Sequence, residues 1–208
     1  MGILVFLILA YLLGSIPTAV WIGHWFYNTD VREFGSGNAG ATNTFRVLGK
    51  KAGIPVLIVD SAKGYLAVAI LSWSDTLSAQ AYLPFLQLLA GVAALLGHIF
   101  PVFAQFRGGK GVATLLGVVL ALQPMPCLFS ILVFLMVLLL GRMVSLASII
   151  AGLSYPIILH FGFHNSNPAL SLFSCAVAVL LVLTHRKNIK RIIRREEQKI
   201  QVFSFRNP

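Results

Sequence analysis

Three long stretches of this 208-residue chain contain no Asp, Glu, Lys or Arg: Met1 to Thr29, Gly111 to Gly141 and Met143 to Thr184. Charged residues make up only 11% of the chain and hydrophobic ones 58%, whereas soluble domains carry about 25% charge. Runs with no water-facing side exclude a soluble globular domain and supply what a membrane-spanning helix needs. The chain start lacks a basic residue, and the apolar stretch Ile3 to Tyr27 is too long for the core of a cleavable signal peptide. It reads as an uncleaved first helix. Cysteine is scarce too. Cys127 and Cys175 both fall inside apolar runs, which argues against a disulfide or a cysteine metal site and leaves them as small buried hydrophobes. Acids number six against 16 Lys and Arg, a formal charge of +10. In a soluble protein that excess would suggest nucleic acid. Here it reads as cytoplasmic flanks lying on anionic lipid, with no nucleic-acid partner.

The apolar segments predict an all-α integral membrane protein with about seven transmembrane helices, near 3–27, 52–72, 81–98, 111–123, 126–141, 144–161 and 168–184. The fourth is short: its ~13 residues rise only ~20 Å against a ~30 Å hydrocarbon core. Fusing it with the next across Gln123-Pro124-Met125-Pro126 is opposed by two prolines, each of which removes a donor and clashes with the preceding turn. Charge decides the count. With seven spans and the N-terminus outside, all 16 Lys and Arg residues lie in or beside cytoplasmic loops, and Asp75 is the only formal charge outside. With six, Arg142 and the basic tail fall outside. The chain then reads as one polytopic membrane domain, 1–208, in which 185–208 forms a basic cytoplasmic tail. Four polar segments share the inner face: 28–51, 99–110, 142–145 and 185–208. No repeat or low-complexity tract is visible, so function is expected where those segments meet.

The first segment contains Gly35-Ser36-Gly37-Asn38-Ala39-Gly40-Ala41-Thr42-Asn43-Thr44-Phe45-Arg46. It matches the dinucleotide fingerprint formally, but the strand that fingerprint requires has no place in a membrane loop. Gly35, Gly37 and Gly40 let the backbone fold back and aim amides at a ligand. Ser36, Asn38, Thr42 and Asn43 add short donors, and Arg46 a bidentate cation. The set suits a phosphate; the alternative is a tight turn with solvated polar side chains. The second segment ends in Arg107-Gly108-Gly109-Lys110-Gly111, a lysine between glycines immediately before a helix, where amides and ammonium both favour an anion. It is not a Walker A loop, because Gly111 stands where Ser or Thr would follow the lysine and no acidic metal ligand is near. In the third, Gly141-Arg142-Met143-Val144-Ser145, a serine at a helix start suggests a cap. In the fourth, His185 and Asn188 are three apart and share a helical face. The tail from His185 holds eight of the 16 cations and, with Ile192, Ile193, Val202 and Phe203, reads as lying on lipid. Asp60 and Lys63 sit one turn apart in the second span, either functional or a neutralising pair that holds the helix. His24, His160 and His164 mark span ends.

Together these segments resemble the bacterial PlsY family of acyl-phosphate:glycerol-3-phosphate acyltransferases. The likeness runs nearly the whole chain. It rests on the Ser36-Gly37-Asn38 loop through Thr42-Asn43 and Arg46, Asp60 with Lys63-Gly64, the His98 to Thr114 block, Ser145-Leu146-Ala147-Ser148, and His185-Arg186 with Asn188-Ile189. The resemblance implies transfer of a fatty acyl group from acyl phosphate to the 1-hydroxyl of glycerol 3-phosphate, in the bacterial inner membrane on its cytoplasmic face. Functional residues by motif position would be Ser36, Arg46, Lys110, Ser145, His185 and Asn188, with Gly37, Asn38, Gly40, Thr42, Asn43, Gly108, Gly109 and Gly111 around the phosphates and Asp60, Lys63 and His98 in support. A soluble acyl-transfer enzyme is a candidate supplier of acyl phosphate. One departure stands out: relatives often carry glycine in the tail where this chain has Arg195, which bears on tail conformation.

The chemistry fits. An acyl phosphate is already activated, so no cofactor, thiol or metal is predicted. Charge on the carbonyl oxygen and departing phosphate suits Lys110, Arg46 and loop amides. Direct attack without an acyl-enzyme is expected, with the substrate's own phosphate favoured over His185 as base. Enzymes that use acyl-CoA or acyl carrier commonly use His-x4-Asp, and none of the five histidines has Asp five positions on. A transporter of a phosphorylated solute is the other rival; it would need polar lining along the outer halves of the spans, and there is little.

Overall fold

A computed structural model describes residues 2–73 and 82–200; Asp75, Val202 and Phe203 lie outside them. The described residues form helices α1 (Gly2–Gly14), α2 (Thr18–Tyr27), α3 (Ala41–Leu48), α4 (Lys50–Ala69), α5 (Leu83–Ile99), α6 (Val112–Leu122), α7 (Pro124–Gly141), α8 (Val144–Ile157), α9 (Pro168–Thr184) and α10 (Arg186–Ile193), with no strand among them. Four helical segments are long and apolar enough to cross a membrane: Lys50–Ser72, Leu83–Ala104, Pro124–Gly141 and Val144–Gly162. The bent pairs α1/α2 and α9/α10 bring that to six if each is one span. Helix α6 is the short fourth segment, at 11 residues. It stops at Gln123, and α7 starts afresh on Pro124, whose missing N–H costs nothing in the first turn.

The first span differs from the single helix read from the sequence. It breaks at Ser15-Ile16-Pro17, and its halves meet at 41°. Pro17 supplies no amide and disfavours helical backbone at Ile16. At the break the Ile16 carbonyl turns out of the helical ladder and accepts from the Thr18 amide at 3.0 Å and from Lys63 Nζ of α4 at 2.8 Å. Lys63 also pairs with Asp60 Oδ1 at 2.8 Å, and Thr18, opening α2, donates to that same oxygen at 3.0 Å. The bent span is thus clamped by a buried ion pair, and removing one partner would strand the other at about 3–5 kcal/mol.

The chain divides into two compact units, Met1–Pro124 and Met125–Pro208. In the first, α4 packs along α6 and α1 along α5. Both crossings are close because small residues let backbones touch: a Cβ on Gly64 would strike the Thr114 carbonyl, and one on Gly97 the Tyr11 carbonyl. Ala10, Ala67, Leu71, Leu86, Ala90 and Ala94 form the core there. In the second unit α8 packs on α9 and α10. Helix α7 is largely exposed, with only Pro126 and Cys127 buried. Cys175 departs from expectation: it is exposed on an apolar helix, whereas Cys127 is buried.

Candidate active site

In the first unit the serine–glycine loop is built around Asn43. This side chain, 1% exposed, was read as a phosphate donor, yet both its ends are used inside the loop. Its Oδ1 accepts from the Ser36 amide at 2.8 Å and the Ser36 hydroxyl at 3.1 Å. Its Nδ2 donates to the carbonyls of Val31 at 2.7 Å and Phe34 at 3.1 Å. The Gly37 amide likewise goes to Phe34 O. Gly37 adopts φ +71, a left-handed turn that glycine takes without strain. Gly40, with Asn38 Nδ2 nearby, caps α3, on which the exposed Thr42 and Arg46 lie one turn apart on one face.

The lysine–glycine loop closes on the end of α5. The amides of Gly109 and Gly108 donate to the carbonyls of His98 at 3.1 Å and Ile99 at 3.2 Å. These two glycines, read as ligand-facing, therefore satisfy orphan carbonyls at a helix C-terminus. Gln105 and Phe106 take φ +57 and +58 within the same turn, strain of the kind that collects at functional loops. Gly111, φ +85, caps α6. The first backbone bond of that helix is Leu115 N to Gly111 O at 2.7 Å, so the amides just before it have no intrahelical acceptor. Lys110, half-buried, stands at this electropositive end.

Arg32, a residue the sequence reading passed over, joins the two loops. Its guanidinium grips Asp30 with contacts of 2.6–3.0 Å and donates to Ala104 O at 3.0 Å. Hydrogen bonding from Arg32 holds the Asp30 carboxyl below its ordinary range against the opposing effect of burial. His24, beyond marking a span end, sits 3.7 Å from the same carboxylate. The local signal was an acid two residues before an arginine.

In the second unit Ser145, His185 and Asn188 are all buried. Ser145 is not a helix cap: Met143 takes that position, and the Ser145 hydroxyl donates to Glu197 Oε1 at 2.7 Å. Asn188 Nδ2 donates to the same oxygen at 2.7 Å and Arg191 Nε to Oε2 at 2.8 Å. Burial works against the Glu197 charge, but bonds from Arg191, Ser145 and Asn188 outweigh it and hold the carboxyl below its usual range. Glu197 is thus the hub of this cluster. The tail comes back to reach it through a turn at Arg195, φ +60, which explains why glycine suits that position. Ile200 N adds a bond to Arg142 O at 2.7 Å. His185 ends α9 where the chain bends by 61° into α10, and its Nδ1 lies 2.8 Å from Leu181 O. Because a carbonyl only accepts, Nδ1 is the donor in that bond.

The family model for glycerol-3-phosphate acyltransferase matches residues 4–195. Relatives named glycerol-3-phosphate acyltransferase include one from Enterococcus faecalis, 45% identical and covering 96% of this chain and 93% of its own length. Another, from Chlorobium luteolum, is 40% identical over 96% and 97%. Crystal structures of PlsY, an integral membrane glycerol 3-phosphate acyltransferase, match over 97% of this chain and 96% of theirs. The glycerol 3-phosphate form has a TM-score of 0.87 at 39% identity and the lysophosphatidic acid form 0.83 at 38%. The two glycine loops, the buried serine–histidine–asparagine set and these matches agree: this chain is an integral membrane acyltransferase of the PlsY glycerol-3-phosphate acyltransferase family.

Proposed function

We propose that this protein transfers a fatty acyl group from acyl phosphate to the 1-hydroxyl of glycerol 3-phosphate, giving 1-acylglycerol 3-phosphate and inorganic phosphate. The hydroxyl oxygen bonds to the acyl carbonyl carbon, the carbonyl–phosphate C–O bond breaks, and the hydroxyl proton leaves with phosphate. The observation that carries this reading is Lys110 at the N-terminal end of α6, beside amides without intrahelical acceptors. Relatives captured with glycerol 3-phosphate and with lysophosphatidic acid, a substrate and a product of this reaction, support it.

Residue roles follow from placement. Lys110 and the first-turn amides of α6 hold one phosphate and stabilise charge as the anhydride opens. Arg46 and Thr42, on one exposed face of α3, serve with Ser36, Asn38 and Gly40 as the second anion platform. Ser145 and Asn188, aligned by Glu197, and His185 bind and orient polar groups of the substrates. The proton acceptor is the substrate phosphate, with His185 in a binding role. No cofactor is assigned. The reaction takes place on the cytoplasmic side of a bacterial inner membrane. Seven spans with the N-terminus outside keep every Lys and Arg on that side, and a soluble acyl-transfer enzyme supplies acyl phosphate there.

The test is phosphate release by purified protein in lipid, given palmitoyl phosphate with and without glycerol 3-phosphate. Release that needs glycerol 3-phosphate and is lost in Lys110→Ala is expected. A folded preparation that releases nothing refutes the reading.

A further inference from the structure

Beyond these assignments, the structure carries an inference about the charged cluster inside the first unit, and it rests on the acyltransferase reading above. We propose that the Asp60–Lys63 pair, acting through His98, is a positioning device that holds the Gly108–Lys110 loop in its phosphate-binding shape.

An ion pair serving only to neutralise α4 would end with its two members. This one reaches outward. Lys63 donates to Ile16 O, and Asp60 Oδ1 takes the Thr18 hydroxyl and lies 3.8 Å from His98 Nδ1. Asp60 and His98 are 1% and 6% exposed, so the carboxylate faces the polar edge of the imidazole away from solvent. His98 presents its other edge to the loop. A Cβ on Gly109 would collide with Nε2, and one on Gly108 with the His98 carbonyl. That carbonyl also accepts the Gly109 amide at 3.1 Å. Ring and backbone of one residue therefore seat both glycines that precede Lys110. Thr18, Asp60, Lys63 and His98 line one small cavity together with Ala39 of the serine–glycine loop and Gly108 of the lysine loop. The cluster thus borders both glycine loops.

A hydrophobic pair of similar volume would stabilise such a position about as well as an ion pair does. A charge that orients an imidazole against a glycine does something an apolar pair cannot. Rotation of His98 would move Gly109 directly, and Lys110 with it. The consequence falls on binding: a loop shifted by a fraction of an ångström loses ground-state anion contacts and raises KM, while Lys110 itself remains to meet the charge of the opening anhydride, so kcat changes little.

Two variants test this in purified protein: His98→Asn, which removes the ring from beneath Gly109, and the double variant Asp60→Asn/Lys63→Met, which removes both charges and leaves no unpaired ion. Acyl transfer from palmitoyl phosphate is measured across both substrate concentrations, and folding by thermal melting in detergent. The expected result is folded protein in which KM for one phosphate substrate rises about tenfold, equivalent to ~1.4 kcal/mol, while kcat stays within about twofold. Folded variants with parental KM for both substrates overturn the proposal, as does a loss confined to kcat. If neither variant folds, the cluster is a folding element and the proposal is equally overturned. Parental protein without acyl transfer would instead defeat the reading on which it rests.

Discussion

Glu197→Gln separates a structural hub from a decorative tail contact. The carboxylate takes three hydrogen bonds, from Ser145, Asn188 and Arg191, at 2.7–2.8 Å. Its side chain is 6% exposed, while that of Arg191 is 35% exposed. Hydrogen bonds to a charged group contribute about 1.5–3 kcal/mol and neutral ones about 0.5–1.5. Glutamine keeps one carbonyl for Ser145 and Asn188 but turns an amide against Arg191. Discounting the more solvated Arg191 contact, the loss comes to about 2 kcal/mol. The tail would open locally while the rest of the unit stays folded. At ~1.4 kcal/mol per tenfold, hydrogen exchange of the Arg186–Ile193 amides should accelerate roughly 30-fold. The pH dependence has a definite sign. Because the Glu197 carboxyl titrates below its ordinary value when the tail is docked, its contribution is complete above the ordinary glutamate range. It is lost as pH falls through the lowered value. Parental tail amides should therefore lose protection in acid, and glutamine should abolish that part of the profile. Equal protection in parent and variant at neutral pH would refute the argument.

Arg195→Gly should act in the opposite direction. An L-residue at φ +60 costs about 1–2 kcal/mol, part of which glycine gives back as chain entropy, so the same amides should exchange about threefold more slowly; unchanged exchange would show that the turn is unstrained. His185→Gln should keep most of its turnover at saturating substrate with a raised KM, and loss of kcat by more than about a hundredfold would make the imidazole the obligate base. Gly117→Ala places a methyl against the Ser61 carbonyl, forcing α4 and α6 apart at about 1–3 kcal/mol. Its melting temperature in detergent should fall below that of Leu120→Ala, a change at an exposed position, and equal melting would contradict the close crossing.

What the sequence determines by itself is chemistry that acts within a few residues. Charge-free runs imply membrane helices, Gln123-Pro124 separates α6 from α7, and a lysine between glycines marks a helix start. Arg195 in place of glycine pointed to tail conformation, which the left-handed backbone there bears out. Partners far apart in the chain escaped it. Pro17 was visible, but whether a proline kinks a span depends on what holds the bend, and one of the two donors on the Ile16 carbonyl, Lys63, comes from 47 residues away. Asn43 and Gly108–Gly109 looked like ligand donors because composition shows which groups can donate, not which acceptors the fold has already placed beside them. Arg32 meets Ala104 across 72 residues and Ser145 meets Glu197 across 52. Periodicity records how a segment faces its surroundings, but a hydrogen bond of defined geometry needs donor and acceptor atoms held about 3 Å apart, and only tertiary packing brings such distant segments together.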